Sequence, residues 1–146
     1  MCGFAGWFDQ TINMSEKIST LYKMSETLSK RGPDENGLYI NKGCALVHRR
    51  LVVIDKENGK QPMAAKHNGK LYIMVYNGEL YNTNELREKL TAVGMRFSGH
   101  SDTEVVLKAY IKYGAEFQLR ILFISITFSL FSKTVNLTSK PANSIP

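Results

Sequence analysis

The sequence predicts an α+β protein built mostly from antiparallel sheet. Three observations carry that class. Strand-like and helix-like patterns come in blocks, without the regular βαβα alternation of a parallel sheet. The strand-like runs of the first half are joined by short connections with hairpin residues such as Asn41-Lys42-Gly43. Two helical patterns with start and stop signals follow them, at 82–94 and 101–114.

Taken in order, residues 3–8 form the first expected strand, and a helix is expected from about Ser15. Its apolar positions Ile18, Leu21, Tyr22 and Leu28 keep helical spacing, with Ser25 as one polar lapse. The stretch Arg31-Gly32-Pro33-Asp34-Glu35-Asn36-Gly37 ends it, since Pro and Gly punctuate helices and Asp and Asn favour turns. Strands are expected at 38–41 and 44–48, a further short β-branched run at Leu51–Ile54, and the strongest strand of the middle region at Leu71–Tyr76, running straight into Asn77-Gly78. Asn82 with Glu85, and Ser101 with Glu104, resemble capping boxes. Leu86, Leu90 and Val93 then form one apolar face, Val105, Val106, Ala109, Tyr110 and Tyr113 the other, and Gly94 and Gly114 supply the stops. Asp102 thereby falls in a helix's first turn.

After Gln118 the composition changes. Residues 121–132 carry no charge and alternate apolar residues with Ser or Thr from Ile124, which is a strand period. The run is short of the ~20 residues that span a bilayer, and 133–146 is polar and patternless, so a loose tail is expected.

With 146 residues, 43% of them apolar and 22% charged, the chain fits one soluble globular domain. Its net charge of +6 is not focused into a basic stripe. Arg120, Lys133 and Lys140, all beyond the last acid at Glu116, supply half of the excess, so neither nucleic acid nor membrane is expected as partner. Cys2 and Cys44 make no disulfide framework, and the N-terminus lacks a basic start and a sustained apolar run, so the expected compartment is the cytoplasm. The three histidines lack metal-ligand spacing and read as satisfied or solvent-facing; Cys44 reads as core. No Gly-rich phosphate loop occurs, so no cofactor and no ATP site are expected in this chain.

Position 2 is where chemistry is best placed. Removal of Met1 would leave a thiol and a free α-amine on the same residue. Such an amine titrates near 8 by reference values, close enough to neutrality to take the thiol proton, and an N-terminal amine is a known base for its own side chain. The plainer alternative is a structural cysteine that happens to lie near the terminus.

The motifs around it favour the first reading. Cys2-Gly3-Phe4-Ala5-Gly6, the 31–37 stretch, His48-Arg49-Arg50-Leu51, Gly59-Lys60-Gln61-Pro62-Met63, Tyr76-Asn77-Gly78-Glu79-Leu80-Tyr81-Asn82 and Ser101-Asp102-Thr103-Glu104 resemble, in order, the motifs of class II glutamine amidotransferases. Within that group the RGPDENG, QPM and YNGELYN forms are similar to the asparagine synthetase branch. The resemblance covers residues 2 to about 117. It implies an Ntn-hydrolase-like αββα sandwich of mostly antiparallel sheets that hydrolyses glutamine to glutamate and ammonia. Cys2 would attack the side-chain amide, and Asn77 and Gly78 would form the oxyanion hole. Arg50 would take the α-carboxylate, and Glu79 and Asp102 the α-ammonium. Gly32 and Asp34 would shape the pocket. Individually each has a plainer reading: Asn-Gly is the commonest hairpin turn, and the charged residues would otherwise be a surface arginine, a loop glutamate and a helix-cap aspartate.

Past residue 117 the resemblance stops. Residues 118–146 depart from the family, further glutaminase strands and the ATP- and magnesium-using synthetase domain are not recognisable, and a truncated or frameshifted reading frame is expected, with the sandwich incomplete at its C-terminus. Three readings stay open: the glutaminase half of an asparagine synthetase, a stand-alone glutaminase serving another acceptor, and an inactive fragment. Glutamine is the expected small-molecule partner, with a homo-oligomer or a separate synthetase chain left open.

Overall fold

A computed structural model describes residues 1–53 and 57–114, and the backbone of a strand at 123–134. Strands β1 (Gly3–Phe8), β2 (Glu35–Asn41) and β3 (Cys44–Arg50) form one antiparallel sheet in the order β1-β3-β2. Strands β4 (Met63–His67), β5 (Lys70–Leu80) and β6 (Phe123–Thr134) form a second, in the order β4-β5-β6 and also antiparallel. Helix α1 (Ile18–Thr27) covers the first sheet; helices α2 (Thr83–Ala92) and α3 (Asp102–Tyr113) cover the second.

The central strands β3 and β5 explain the layering. Because successive side chains point to opposite faces, Ala45 and Val47 turn toward α1 and pack with Leu21 and Met14, while Cys44 and Leu46 turn to the other sheet and meet Ile73 and Val75. On β5, Met74 and Tyr76 face the second helical layer, joining Leu86, Leu90, Val105 and Val106. Three apolar layers therefore stack between four layers of structure, an αββα sandwich. Both central strands are buried on both faces and so read as continuous apolar runs rather than as alternations.

Several local expectations are corrected. The first helix is preceded by a 3₁₀ turn, Met14–Lys17, capped by Asn13. Its buried face holds Leu21 and Ser25 with Met24 and Leu28 beside them, whereas Ile18 and Tyr22 are 38% and 60% exposed. Ser25 is no lapse: its hydroxyl and carbonyl oxygens both accept from Nε of Arg49, at 2.9 and 3.2 Å. Leu51–Val53 is not a strand, because its N–H groups bond to side chains in place of a ladder. Leu51 donates to Sγ of Cys2 at 3.4 Å and Val52 to Oδ2 of Asp34 at 2.8 Å. Ile54 and the tail from residue 135 lie outside the described residues.

Strand β4 is an element the apolar pattern does not announce, and it is joined to β5 by Asn68-Gly69, both at positive φ (47° and 71°), as a tight hairpin requires. Asn82 makes no capping hydrogen bond; its backbone (φ −94°, ψ 35°) lacks the extended conformation of a capping residue, and Val93 ends that helix half exposed. Ser101 does cap α3, accepting from the Glu104 N–H at 3.2 Å. Glu104 does not reach back to it, and instead receives the N–H groups of Ser98 and Gly99. Gly94 and Gly114 close their helices at positive φ as expected. Where the pattern predicts a strand over 121–132, the structure has one at 123–134, so Lys133 and Thr134 of the expected loose tail belong to it. It pairs β5 from Lys70 to Leu80 with a register shift between Gly78 and Leu80.

His48 lies on the inter-sheet face of β3, 1% exposed, hydrogen-bonded to the backbone of Tyr76, and its Nε2 has no partner among the described residues. It is thus neither solvent-facing nor fully satisfied. Burial holds its pKa at about 4, below the ordinary 6.5. The unfolded chain therefore binds a proton between these values that the folded one refuses. Stability from this residue is complete above pH 6.5 and is lost as pH falls toward 4, on the order of 3 kcal/mol in all. Urea unfolding of His48→Gln beside the parent should show the two losing stability at different rates over this range, the variant less steeply. At Gly37, a methyl group would overlap the backbone carbonyl of Gln61. Gly37→Ala should therefore cost roughly 1–3 kcal/mol of unfolding free energy, the usual range for overpacking.

Candidate active site

The inter-sheet layer is apolar at its centre and polar at one end. On β3 the inward residues run Cys44, Leu46, His48, Arg50, and on β5 they run Leu71, Ile73, Val75, Asn77. Where they become polar, a cavity of about 340 Å³ opens, within the range of small-molecule sites. Cys2, Arg50, Asn77, Gly78, Glu79 and Asp102 all line it, together with Met1, Leu51, Gln61, Tyr76 and Thr103 among others. All six residues singled out from the sequence are thus brought to one place.

Each arrives by a different route. Cys2 immediately precedes β1, an edge strand whose register against the central β3 is fixed by the pairing of Gly3 with Arg49. Its sulfur accepts from the Leu51 N–H at 3.4 Å and faces the Leu51 carbonyl at 3.7 Å, while its own carbonyl accepts from Nε of Arg31 at 3.2 Å. Met1 precedes it here, so the Cys2 nitrogen is a peptide amide at the cavity wall. Loss of Met1 would turn that nitrogen into an amine at the same point.

Arg50 ends β3, 5% exposed, and pairs through Nη1 with Glu35 at 2.8 Å. The two residues are direct cross-strand partners in the β2–β3 register. The loop between α1 and β2 is clamped onto this strand end. A methyl group on Gly32 would overlap the backbone of Arg49 and Arg50, and the Asp34 N–H donates to the Arg50 carbonyl at 3.1 Å. Gly32 and Asp34 thus hold the strand end, and Asp34 also holds the chain beyond it through Val52.

Asn77 and Gly78 lie inside β5, paired with Thr127 and Ile126 of β6, so they are not a hairpin turn. The register shift that follows Gly78 falls at Glu79, and irregularities of this kind re-aim side chains beside functional sites. Asp102 opens α3. Burial pushes its carboxyl above the ordinary value, and hydrogen bonds from the Thr103 and Leu80 backbones pull it partway back. The Thr103 N–H donates to Oδ1 at 2.7 Å. Tyr76 feels the same environment: burial first, then the Asp102 and Glu79 carboxylates, push its hydroxyl well above the ordinary value. A carboxylate held in its less comfortable charged form is a group whose ionisation a bound cation would favour.

Cys44 is the other thiol. It lies fully buried between the sheets, and burial pushes its pKa up to about 11, which makes it a poor nucleophile. Sequence reasoning assigned no role to Glu35, Gln61 or Thr103. Glu35 was detectable as the residue that falls opposite Arg50 once the hairpin around Asn41-Lys42-Gly43 is folded. Gln61 stood in a quoted motif, but its part depends on β4, which the pattern does not reveal. Among the described residues no helix is long and apolar enough to cross a membrane.

The sequence profile of the glutamine amidotransferase domain matches residues 1–136. The chain is 45% identical over 113 residues to glutamine-hydrolysing asparagine synthetase 3 of Bacillus subtilis, covering 77% of this chain and 18% of that protein. To glutamine-hydrolysing asparagine synthetase 1 of the same organism it is 40% identical over 121 residues, covering 80% and 18%. To the glutamine-hydrolysing asparagine synthetase of Zea mays it is 37% identical over 117 residues, covering 80% and 19%. The chain thus spans about a fifth of the length of these curated relatives.

Among solved structures, the allosteric regulatory enzyme of purine biosynthesis superposes with a TM-score of 0.66 at 19% identity, over 90% of this chain and 35% of that one. The glutamine phosphoribosylpyrophosphate amidotransferase of Bacillus subtilis gives 0.51 at 22% identity, over 62% and 21%. Both likenesses concern the fold, which is the Ntn-hydrolase type expected from the sequence. The family match extends through β6, and with it the chain belongs to the glutamine amidotransferase domain family, in the company of the asparagine synthetases.

Proposed function

We infer that this chain hydrolyses the side-chain amide of glutamine through a thioester on Cys2, as the glutaminase unit of an asparagine-forming system. The observation that carries this reading is the convergence of Cys2, Arg50, Asn77, Gly78, Glu79 and Asp102 on one cavity from positions up to a hundred residues apart. Once Met1 is removed, the α-amine takes the thiol proton, and the thiolate attacks the amide carbon. The oxyanion that forms meets the Asn77 side-chain amide and the Gly78 N–H; losing one such donor typically costs on the order of 100-fold in rate. Collapse breaks the C–N bond, and the leaving nitrogen receives the proton held on the α-amine and departs as ammonia. Water then attacks the thioester, giving glutamate and returning the thiol.

Recognition of the free amino acid needs one positive and one negative group. Arg50 takes the α-carboxylate with its planar fork, and Asp102 and Glu79 take the α-ammonium. The glutaminase step itself calls for no cofactor, since thiol, amine and fixed donors supply the nucleophile, the base and the oxyanion site. Its ammonia is assigned to asparagine synthesis, after the activity in the relatives' names, and we propose aspartate and ATP as the other reactants of that step. ATP and magnesium belong to a synthetase portion, joined to this domain or supplied by a second chain. Two unpaired cysteines suit the reducing cytoplasm.

Ammonia release from glutamine by the Met1-processed chain, compared with Cys2→Ala, tests the mechanism: the variant should fall by at least about 100-fold, given the loss of the nucleophile, and equal release would sink it. A pH profile tests the ammonium site. Asp102 binds the ammonium only when ionised, and burial raises its pKa, so KM for glutamine should rise as pH falls through that raised value. Asp102→Asn should raise KM at neutral pH and flatten the acid limb.

A further inference from the structure

Gln61 occupies a position that neither the strand ladder nor the substrate assignments account for. The pairing of β4 with β5 ends at Met63 opposite Met74, so continuing the register places residue 61 opposite Tyr76. There the ladder is replaced by a side chain: the Tyr76 N–H donates to Oε1 of Gln61 at 2.6 Å. The other end of the same amide, Nε2, donates to Oγ1 of Thr103 at 3.2 Å. Thr103, only 3% exposed, touches Asp102 twice, by its N–H at 2.7 Å and its hydroxyl at 3.5 Å from Oδ1. One planar group thus joins the backbone just before Asn77 to the helix turn that holds Asp102.

The backbone that carries this side chain is itself held from behind. Gly37 of β2 packs so closely on the Gln61 carbonyl that a Cβ there would overlap it. Gln61 also stands, with Arg50, on the wall between the main cavity and a second one of about 270 Å³ lined by Glu35, Asn36, His48 and Lys60. A shorter or apolar side chain at 61 would leave the Tyr76 N–H and the Thr103 hydroxyl without this bridge, in a place where unmet polar groups are costly.

We propose that Gln61 is a positioning residue for glutamine hydrolysis, its side-chain amide setting the β5 segment of Asn77 and Gly78 against the α3 turn of Asp102. Both ends of its amide are engaged by the protein, at Tyr76 and Thr103, so its part is to fix the distance between the oxyanion donors and the ammonium site. This inference rests on the glutaminase reading above. A 1 Å error in such a spacing is enough to cost on the order of 100-fold in rate.

The test uses the full, Met1-processed chain and 6-diazo-5-oxo-L-norleucine, a glutamine mimic whose diazo carbon takes up the thiol proton and then alkylates the thiolate, the new C–S bond replacing the C–N bond to the departing N₂. Mass spectrometry of the Cys2 adduct over a range of probe concentrations yields a half-saturating concentration and a limiting rate. Gln61→Leu, which keeps the bulk and removes both bonds, should lower the limiting rate at least tenfold and raise the half-saturating concentration. Gln61→Glu keeps an oxygen acceptor for the Tyr76 N–H but sets a second carboxylate near Asp102. It should recover most of the limiting rate while leaving the half-saturating concentration high. Circular dichroism and melting of each variant report folding separately. Parent-like labelling by Gln61→Leu would overturn the proposal, as would both variants losing activity only in proportion to their folded fraction. A parent chain that is not labelled at Cys2 overturns the glutaminase reading and this inference with it; a labelled parent with an unaffected Gln61→Leu overturns this inference alone.

Discussion

Two strands buried on both faces govern this structure. β3 and β5 each must satisfy an apolar helix layer on one side and the opposing sheet on the other, and side-chain alternation leaves them no freedom in register. A slip of one residue on β3 would send Ala45 and Val47 into the gap between sheets and swing Arg50 toward α1. The register that buries Leu46 and Val75 is therefore the register that aims Arg50 and Asn77 into the cavity. Core and site are consecutive stretches of the same two strand faces, and stability and chemistry are specified together.

The polar end of that gap is stabilised by pairing rather than by solvent. Arg50 is almost fully buried, and a charge in that position is tolerated because Glu35 lies directly across the hairpin from it. Asp102 sits at a helix N-terminus with backbone N–H groups directed at it, which offsets part of the cost of its burial. Arg49 points the other way and ties β3 to α1 through Ser25 and Glu26, so adjacent arginines serve opposite faces of one strand. The result is a cavity whose walls carry charge of both signs at fixed places, which suits a ligand that is itself a zwitterion.

How much of this was legible in the sequence depends on the range of the interaction. Strands 3–8 and 44–48, the α+β class and the caps at Ser101, Gly94 and Gly114 follow from local pattern, and the structure holds them. The misreadings arose where a side chain from far away decides the local structure. Leu51–Val53 has strand composition, yet its N–H groups are claimed by Cys2 and Asp34. β4 has an indifferent composition and is a strand because β5 offers it an edge. Two of the four Asn-Gly pairs make the point most sharply. Asn68-Gly69 is a turn and Asn77-Gly78 is not, and the difference lies in β6, which pairs with the second and forces it to remain extended. For the candidate site, residue identities were legible through ordered motifs, but the bridges among them, Glu35 to Arg50 and Gln61 to Thr103, required the strand pairings.

β6 carries a kinetic consequence. It covers one edge of β5 along nearly its whole length, yet α2 and α3 lie between the two strands in the chain. During synthesis β5 can pair with β4 across a two-residue turn almost at once, but its other edge must wait for more than forty further residues. Until then an eleven-residue strand offers an unpaired edge, the kind of template on which other chains add. Closing it forms contacts of long sequence separation, which are slow to find. The late arrival of β6 thus sets an interval during which the β5 edge is exposed to association with neighbouring chains, and chaperone demand should be concentrated in that interval.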